Sequence, residues 1–204
     1  ACGKLPPGSA ADRRFTLHGL WADLPRGLAA EGMEKGTWYK YGCYWFRPGR
    51  ALPKSMCDDP PLKLSPRVRR ALDARMPGRL GCLDRHEFDK HAACYGFEPD
   101  AFFTRALGLL KKLNASRFTS YVRARRGRTV ARKDLERAFA EAFHLKDASA
   151  LALRCGRRTG SQADDVLIQA WVTVRRDGVD SFPAKGSFLA GAKGNCAERV
   201  FVAR

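Results

Sequence analysis

Two imidazoles, a carboxylate and an ammonium group fall within the six residues His86-Glu87-Phe88-Asp89-Lys90-His91, with Cys94 close behind. Imidazole titrates near neutrality, so this set can move protons and hold an anion. A third histidine, His18, lies in Phe15-Thr16-Leu17-His18-Gly19-Leu20-Trp21, and the fourth, His144, stands alone. If residues 83 to 95 are helical, a step of about 100° per residue brings His86, Glu87, Lys90 and His91 into an arc of about 140°. Phe88 then turns towards the core and Asp89 away. Taken alone, that face reads equally well as a solvated run of charge pairs, and His18 has to break the tie.

A His-Glu pair followed by another His invites comparison with the H-E-x-x-H zinc helix, whose histidines are four apart and share a face. Here they are five apart, about 140° around the helix, and Lys90 would repel a cation. No metal and no cofactor is therefore expected. Without a metal, phosphodiester cleavage needs an internal nucleophile, a base, an acid and a cation near the phosphorus. RNA supplies the nucleophile as its 2′-hydroxyl, and two histidines can serve as base and acid. DNA lacks that hydroxyl. Lys90 would offset charge growing on the non-bridging oxygens. Glu87 beside a phosphate must be protonated, paired with Lys90 or orienting an imidazole, and the residues alone do not choose among these.

The elements that must hold these groups are mixed. Ser65-Pro66 followed by Val68, Leu72 and Met76 predicts a helix from about 66 to 76, stopped by Pro77-Gly78. Apolar periodicity predicts further helices over 99 to 113, 115 to 125 and 132 to 144. Leu151 to Cys155, Val166 to Arg175 and Arg199 to Val202 read as strands. In the second, Val166, Ile168, Ala170, Val172 and Val174 alternate onto one core face. Phe15 to Leu20 suits a short strand, with Gly19 allowing a turn or close backbone approach. Residues 1 to 14 read as an arm, and 23 to 62 are rich in turn formers. At 204 residues, one compact α+β domain over 1 to 204 is expected.

Thirty-eight basic against 21 acidic residues leave a formal charge of +17, enough to concentrate a polyanion such as nucleic acid. A basic surface that only keeps the chain soluble, or adheres to anionic membranes, fits the charge equally well. No run approaches a membrane helix and no signal-peptide pattern opens the chain, so it reads as mature and soluble, without membrane insertion. Seven cysteines without CxxC spacing favour disulfides in an oxidising compartment, periplasmic or secreted.

The two histidine segments, in order and about 70 residues apart, resemble the two active-site motifs of the ribonuclease T2 family. Tyr95-Gly96-Phe97-Glu98-Pro99-Asp100 and Gly194-Asn195-Cys196 look most like its bacterial periplasmic members. The resemblance implies an antiparallel sheet flanked by helices and a monomer cutting single-stranded RNA through a 2′,3′-cyclic phosphate. It implies that His91 is the base and His18 the acid, that Glu87 and Lys90 stabilise the pentacoordinate intermediate, and that His86 helps hold the phosphate. Trp21 would stack on a base unless it is core packing, and Asp23 matches a base-contacting position in some relatives. Ala22, Phe88, Ala92 and Ala93 depart from the common pattern without removing a proton donor or acceptor. The family's first strand has no counterpart among the residues before Phe15, which would leave Cys82 unpaired. The implied disulfides are Cys2–Cys43, Cys57–Cys94 and Cys155–Cys196. Rival readings are an RNA-binding or toxin-like protein on the same fold without turnover, a metal-dependent nuclease, and a protein-protein module with structural histidines.

Overall fold

The computed structural model describes residues 14–157 and 165–203. Residues 1–13 of the expected arm, with Cys2, lie outside them. The described residues divide into two compact units, one of 16–108 and one of 14–15 with 109–157 and 165–203. The break at 108/109 falls within one helix, α5 (Pro99–Asn114).

In the first unit, residues 23 to 62 hold more helix than their turn formers suggest: α1 (Arg26–Ala30) and α2 (Lys35–Tyr41), followed by the 3-10 turn Gly42–Phe46. Neither helix has a side-chain cap. Pieces this short are not stable alone, and buried Trp38 anchors α2. Helix α3 (Pro66–Arg75) forms as its cap chemistry predicts: the Ser65 hydroxyl accepts from the Val68 amide, Pro66 opens the first turn, and Val68 and Leu72 are buried. Helix α4 (Leu83–His91) carries the polar cluster and is followed by the turn Ala93–Tyr95 and by α5 (Pro99–Asn114). Phe15 to Leu20 is not a strand. The Leu17 amide donates to the Arg75 carbonyl at 2.8 Å, at the end of α3, and no ladder forms.

The second unit contains α6 (Arg117–Arg123), β1 (Arg128–Ala131), α7 (Arg132–Ala142), β2 (Leu151–Arg157), β3 (Asp165–Val172) and β4 (Arg199–Val202). The sheet order is β1-β4-β3-β2. The β1–β4 and β2–β3 pairs are antiparallel, whereas β3 and β4 run parallel through Asp165–Val200 and Val166–Phe201. The long connection from β3 to β4 allows this, since parallel strands need a crossover rather than a hairpin. One face of the sheet packs against Phe118, Leu135 and Phe139 of α6 and α7. The alternation expected along β3 breaks in the middle. Arg154 pairs with Gln169 but Cys155 with Leu167, so Ile168 is the extra residue of a bulge and is exposed, while Leu167 takes its place against the core. No helix among the described residues is long and apolar enough to cross a membrane.

The disulfides are Cys43–Cys94, Cys57–Cys82 and Cys155–Cys196. The third is as expected. The expected Cys57–Cys94 bond, the Cys2–Cys43 bond and an unpaired Cys82 are all corrected. Cys82 caps the start of α4 and Cys94 lies beyond its end, and a nine-residue helix is about 13 Å long. A disulfide holds its Cα atoms only about 4.4–6.8 Å apart. Cys57, whose carbonyl accepts from Arg85 in the first turn of α4, is therefore beside Cys82 and out of reach of Cys94.

Candidate active site

Helix α4 starts where Pro77–Gly81 ends. Cys82 caps it in a left-handed conformation, φ 63°, and buried Asp84 in its first turn pairs with Arg79 Nε at 2.9 Å. A carboxylate at the N-terminus and the Lys90 ammonium in the last turn both suit the helix dipole. Phe88 turns inward, edge-to-face with Phe102, and Asp89 turns to Arg47. The faces divide as the helical spacing predicts.

The first motif is tied down at three points within this unit. Leu17 bonds Arg75, Trp38 Nε1 donates to the Ala22 carbonyl at 3.1 Å, and Asp23 accepts from Lys35 and Tyr39 of α2 at 3.1 and 3.2 Å. Between these anchors the chain brings His18 and Trp21 to α4. Trp21 Nε1 donates to Glu87 Oε2 at 2.5 Å, and His18 Nε2 lies 3.5 Å from Glu87 Oε1. The Trp21 ring is 5.4 Å from that of His18 and 5.8 Å from that of His91, and His86 and His91 are 6.3 Å apart. The buried carboxyl thus meets an indole and one imidazole, and the cluster continues from Trp21 to His91 and from His91 to His86.

Two glycines make this approach possible. A Cβ on Gly19 would stand 1.6 Å from Glu87 Oε2, and one on Gly42, at φ 52°, would stand 2.3 Å from the Lys90 carbonyl. The first admits the Glu87 carboxyl and the second seats the Gly42–Phe46 turn against the end of α4.

Burial governs the titration of the site. It pushes the Glu87 carboxyl up to about 8, against the Trp21 hydrogen bond and the Lys90 charge, which favour the ionised form. Glu87 is 2% exposed and therefore carries its proton at neutral pH. His91 is pushed down to about 3 by burial and then by the charges of Lys90, His86 and His18. A helix C-terminus favours a cation by at most about 2 kcal/mol, so here burial prevails. His18 is lowered by burial and then His86, and His86 by burial and then Lys90, with Asp59 opposing. Burial also lowers the Lys90 ammonium, against the Glu87 carboxylate.

Behind His86 lies a support that neither motif announces. Asp59, 1% exposed, accepts from the Tyr44 hydroxyl at 2.5 Å and pairs with Arg47 at 3.2 Å. The Tyr44 oxygen is 3.1 Å from His86 Nδ1. With its own proton given to Asp59, that oxygen accepts from Nδ1–H, so neutral His86 carries its proton on Nδ1 and a lone pair on Nε2. Nε2 can donate to an anion only after the ring takes up a second proton. Asp59 lies in Cys57-Asp58-Asp59-Pro60 and Tyr44 in a 3-10 turn, where no periodicity marks them. The one signal was Cys57, whose bond to Cys82 carries this segment to α4.

Trp21, 36% exposed, is a partly open ring rather than core. Asp23 is exposed and bound to its own Leu24 amide and to α2. Partial burial pushes its carboxyl up, but the Leu24 amide and Lys35 outweigh this and hold it below the usual range. Among the described residues no group of three or more His, Cys, Asp or Glu could hold a metal ion.

A family model described as the Ribonuclease T2 family matches residues 1–182. Ribonuclease I of Escherichia coli (strain K12) is 34% identical over 195 residues, spanning 92% of this chain and 70% of that protein. The crystal structure of a self-incompatibility associated SF11-RNase of Nicotiana alata superposes with a TM-score of 0.56 at 15% identity, covering 94% of this chain and 86% of that one.

Proposed function

Because the chain belongs to the ribonuclease T2 family and is an endoribonuclease, we propose that it cleaves single-stranded RNA without a metal, with His18 and His91 as its acid and base. One observation carries this reading: the two imidazoles flank the Trp21 ring around the buried Glu87 carboxyl, and a phosphodiester there would lie between them.

His91 is held neutral by burial and so is free to take the proton of the 2′-hydroxyl. The 2′-oxygen attacks phosphorus, the bond to the 5′-oxygen breaks, and His18 gives its proton to that leaving oxygen. The product is a 2′,3′-cyclic phosphate, which water opens with the two histidines exchanging roles. An arriving phosphodiester brings negative charge beside all three imidazoles and raises each towards its ordinary value. That charge lets His18 and His86 hold the protons they need as acid and as phosphate donor. Lys90 offsets charge on the non-bridging oxygens. Glu87, protonated, donates a hydrogen bond to the pentacoordinate intermediate where an ionised carboxylate would repel it. Trp21 offers a partly open ring on which a base can stack, with Asp23 beside it for base contacts.

The family match runs through both compact units, which supports reading the chain as one catalytic domain; we propose that it acts as a monomer. Three disulfides support a periplasmic or secreted location. The test incubates a single-stranded RNA and the matching DNA with EDTA and identifies the product by mass. Cutting of RNA alone, with a cyclic phosphate end, is expected. Equal cutting of both, or RNA cutting only after a divalent ion is added, would overturn the reading.

A further inference from the structure

The positive charge is not where the chemistry is. Among the described residues the first unit, which holds every proposed catalytic group, has 15 basic and 11 acidic residues, and the second has 19 and 8. The second unit thus carries +11 and the first +4. Its densest stretch, residues 117–133, holds seven arginines and lysines and no acid.

This stretch builds one corner of the unit. Helix α6 ends on Arg123, the turn 124–127 follows, and Arg128 opens β1, an edge strand of the sheet. The turn is pinned by the Gly127 amide, which donates to the Val202 carbonyl of β4 at 2.7 Å, and by Arg126 Nε on the Ala203 carbonyl at 3.4 Å. Arg125 lies flat over the Tyr121 ring, 3.3 Å from its centroid. Two guanidinium groups are therefore held in place without a carboxylate. Arg117, Arg123 and Arg128 are exposed, with no carboxylate partner among the described residues.

Charge on an edge strand discourages edge-to-edge pairing, but that needs only Arg128, whereas Arg123, Arg125 and Arg126 lie off the strand. A surface built for solubility mixes both signs, whereas residues 117–133 include no acid, and Arg132 is the one arginine there paired with a carboxylate among the described residues, Glu136. Planar, always-charged guanidinium groups on a braced turn are suited to phosphate oxygens.

We propose that the α6–β1 corner is a second RNA-binding surface, which holds the phosphate backbone of a long substrate and supplies affinity but no chemistry. The proposal rests on RNA being the substrate. Catalytic groups alone suffice for a dinucleotide; a chain of some tens of nucleotides carries further phosphates for the corner to hold.

The experiment compares the unmodified protein with Arg123→Gln/Arg128→Gln on a dinucleotide and on a 30-nucleotide single-stranded RNA, across salt concentrations. The dinucleotide kcat/KM should be unchanged. The KM for the long RNA should rise about 20-fold near 0.1 M salt, and its log–log salt slope should fall by about 1.4, from about 0.7 counterion released per lost phosphate contact. An unchanged KM and slope for the long RNA would overturn the proposal, as would an equal loss on both substrates. Binding of the unmodified protein to phosphatidylglycerol vesicles that the substitutions abolish, with RNA kinetics unaltered, would also overturn it by assigning the corner to lipid. Failure of the unmodified protein to cut the dinucleotide would instead sink the ribonuclease mechanism, a separable result.

Discussion

Gly19→Ala tests the site with a single methyl group. The new Cβ would stand 1.6 Å from Glu87 Oε2, 2.4 Å from Glu87 Cδ and 2.7 Å from Trp21 Nε1. The carboxyl must retreat by about 2 Å to regain ordinary contact distance. Glu87 is 2% exposed, with Trp21 on one oxygen and His18 near the other, so it cannot retreat without losing the 2.5 Å indole bond. A displacement of about 1 Å in a catalytic constellation can cost about 100-fold, so kcat/KM should fall at least ~100-fold. The overpacking cost, about 1–3 kcal/mol, is moderated because the displaced atoms end a side chain. The melting temperature should therefore fall by about 2–10 °C. Gly27→Ala is the control, since nothing lies within 4 Å of its Cβ. The assay is initial-rate cleavage of a fluorogenic oligoribonucleotide at a temperature where circular dichroism shows both variants folded. A folded Gly19→Ala protein with kcat/KM within about threefold of the unmodified enzyme would refute the claim that this carboxyl's position matters.

Three further outcomes are expected. His18→Ala and His91→Ala should each lose at least ~100-fold in turnover, as removal of a general acid or base requires, and near-normal rates in either would remove its role. Glu87→Gln should change how stability depends on pH. The folded chain keeps the Glu87 proton up to about 8, whereas the unfolded chain releases it near 4.5, so this contribution is complete below 4.5 and is lost as pH rises to 8. His91 acts oppositely and lower, its contribution complete above 6.5 and lost as pH falls towards 3. The unmodified melting temperature should hence decline between pH 6.5 and 8, and the decline should shrink in Glu87→Gln; equal slopes would contradict a protonated Glu87. Asp59→Asn removes the charge behind Tyr44 and His86. KM should rise more than kcat falls, and the pH at which His86 ceases to help should drop, since Asp59 is what opposes the lowering by burial and Lys90, while an unmoved pH profile would make Asp59 merely structural.

The helix of the polar cluster and the partnership of His18 with it were legible because both rest on local rules, a period of 3.6 residues and the chemistry of residue types. Gly19 was legible as a place for a turn or close approach, though not that the Glu87 and Trp21 side chains are what approach it. Tyr44, Arg47 and Asp59 were not, because they lie in a stretch whose only order is tertiary: short helices and 3-10 turns tied to α4 by two disulfides. The pairing of those cysteines depends on which end of a nine-residue helix each one reaches, a distance that spacing along the chain does not contain. Ile168 fails for a related reason. Its alternation is intact in the sequence, and only pairing with β2 reveals that the strand carries one residue too many.

The two disulfides at the ends of α4 have a consequence for where such a molecule can exist safely. Cys82 locks the helix to residue 57 at its start, and Cys94, three residues past His91, locks it to residue 43. Each such bond contributes about 2–4 kcal/mol, which is large against the total stability of a domain. In a thiol-rich compartment both braces would be open, and the helix that carries four of the five catalytic candidates would stand without them. Oxidation then acts as a licence: the helix that bears the site is braced at both ends only where thiols can pair.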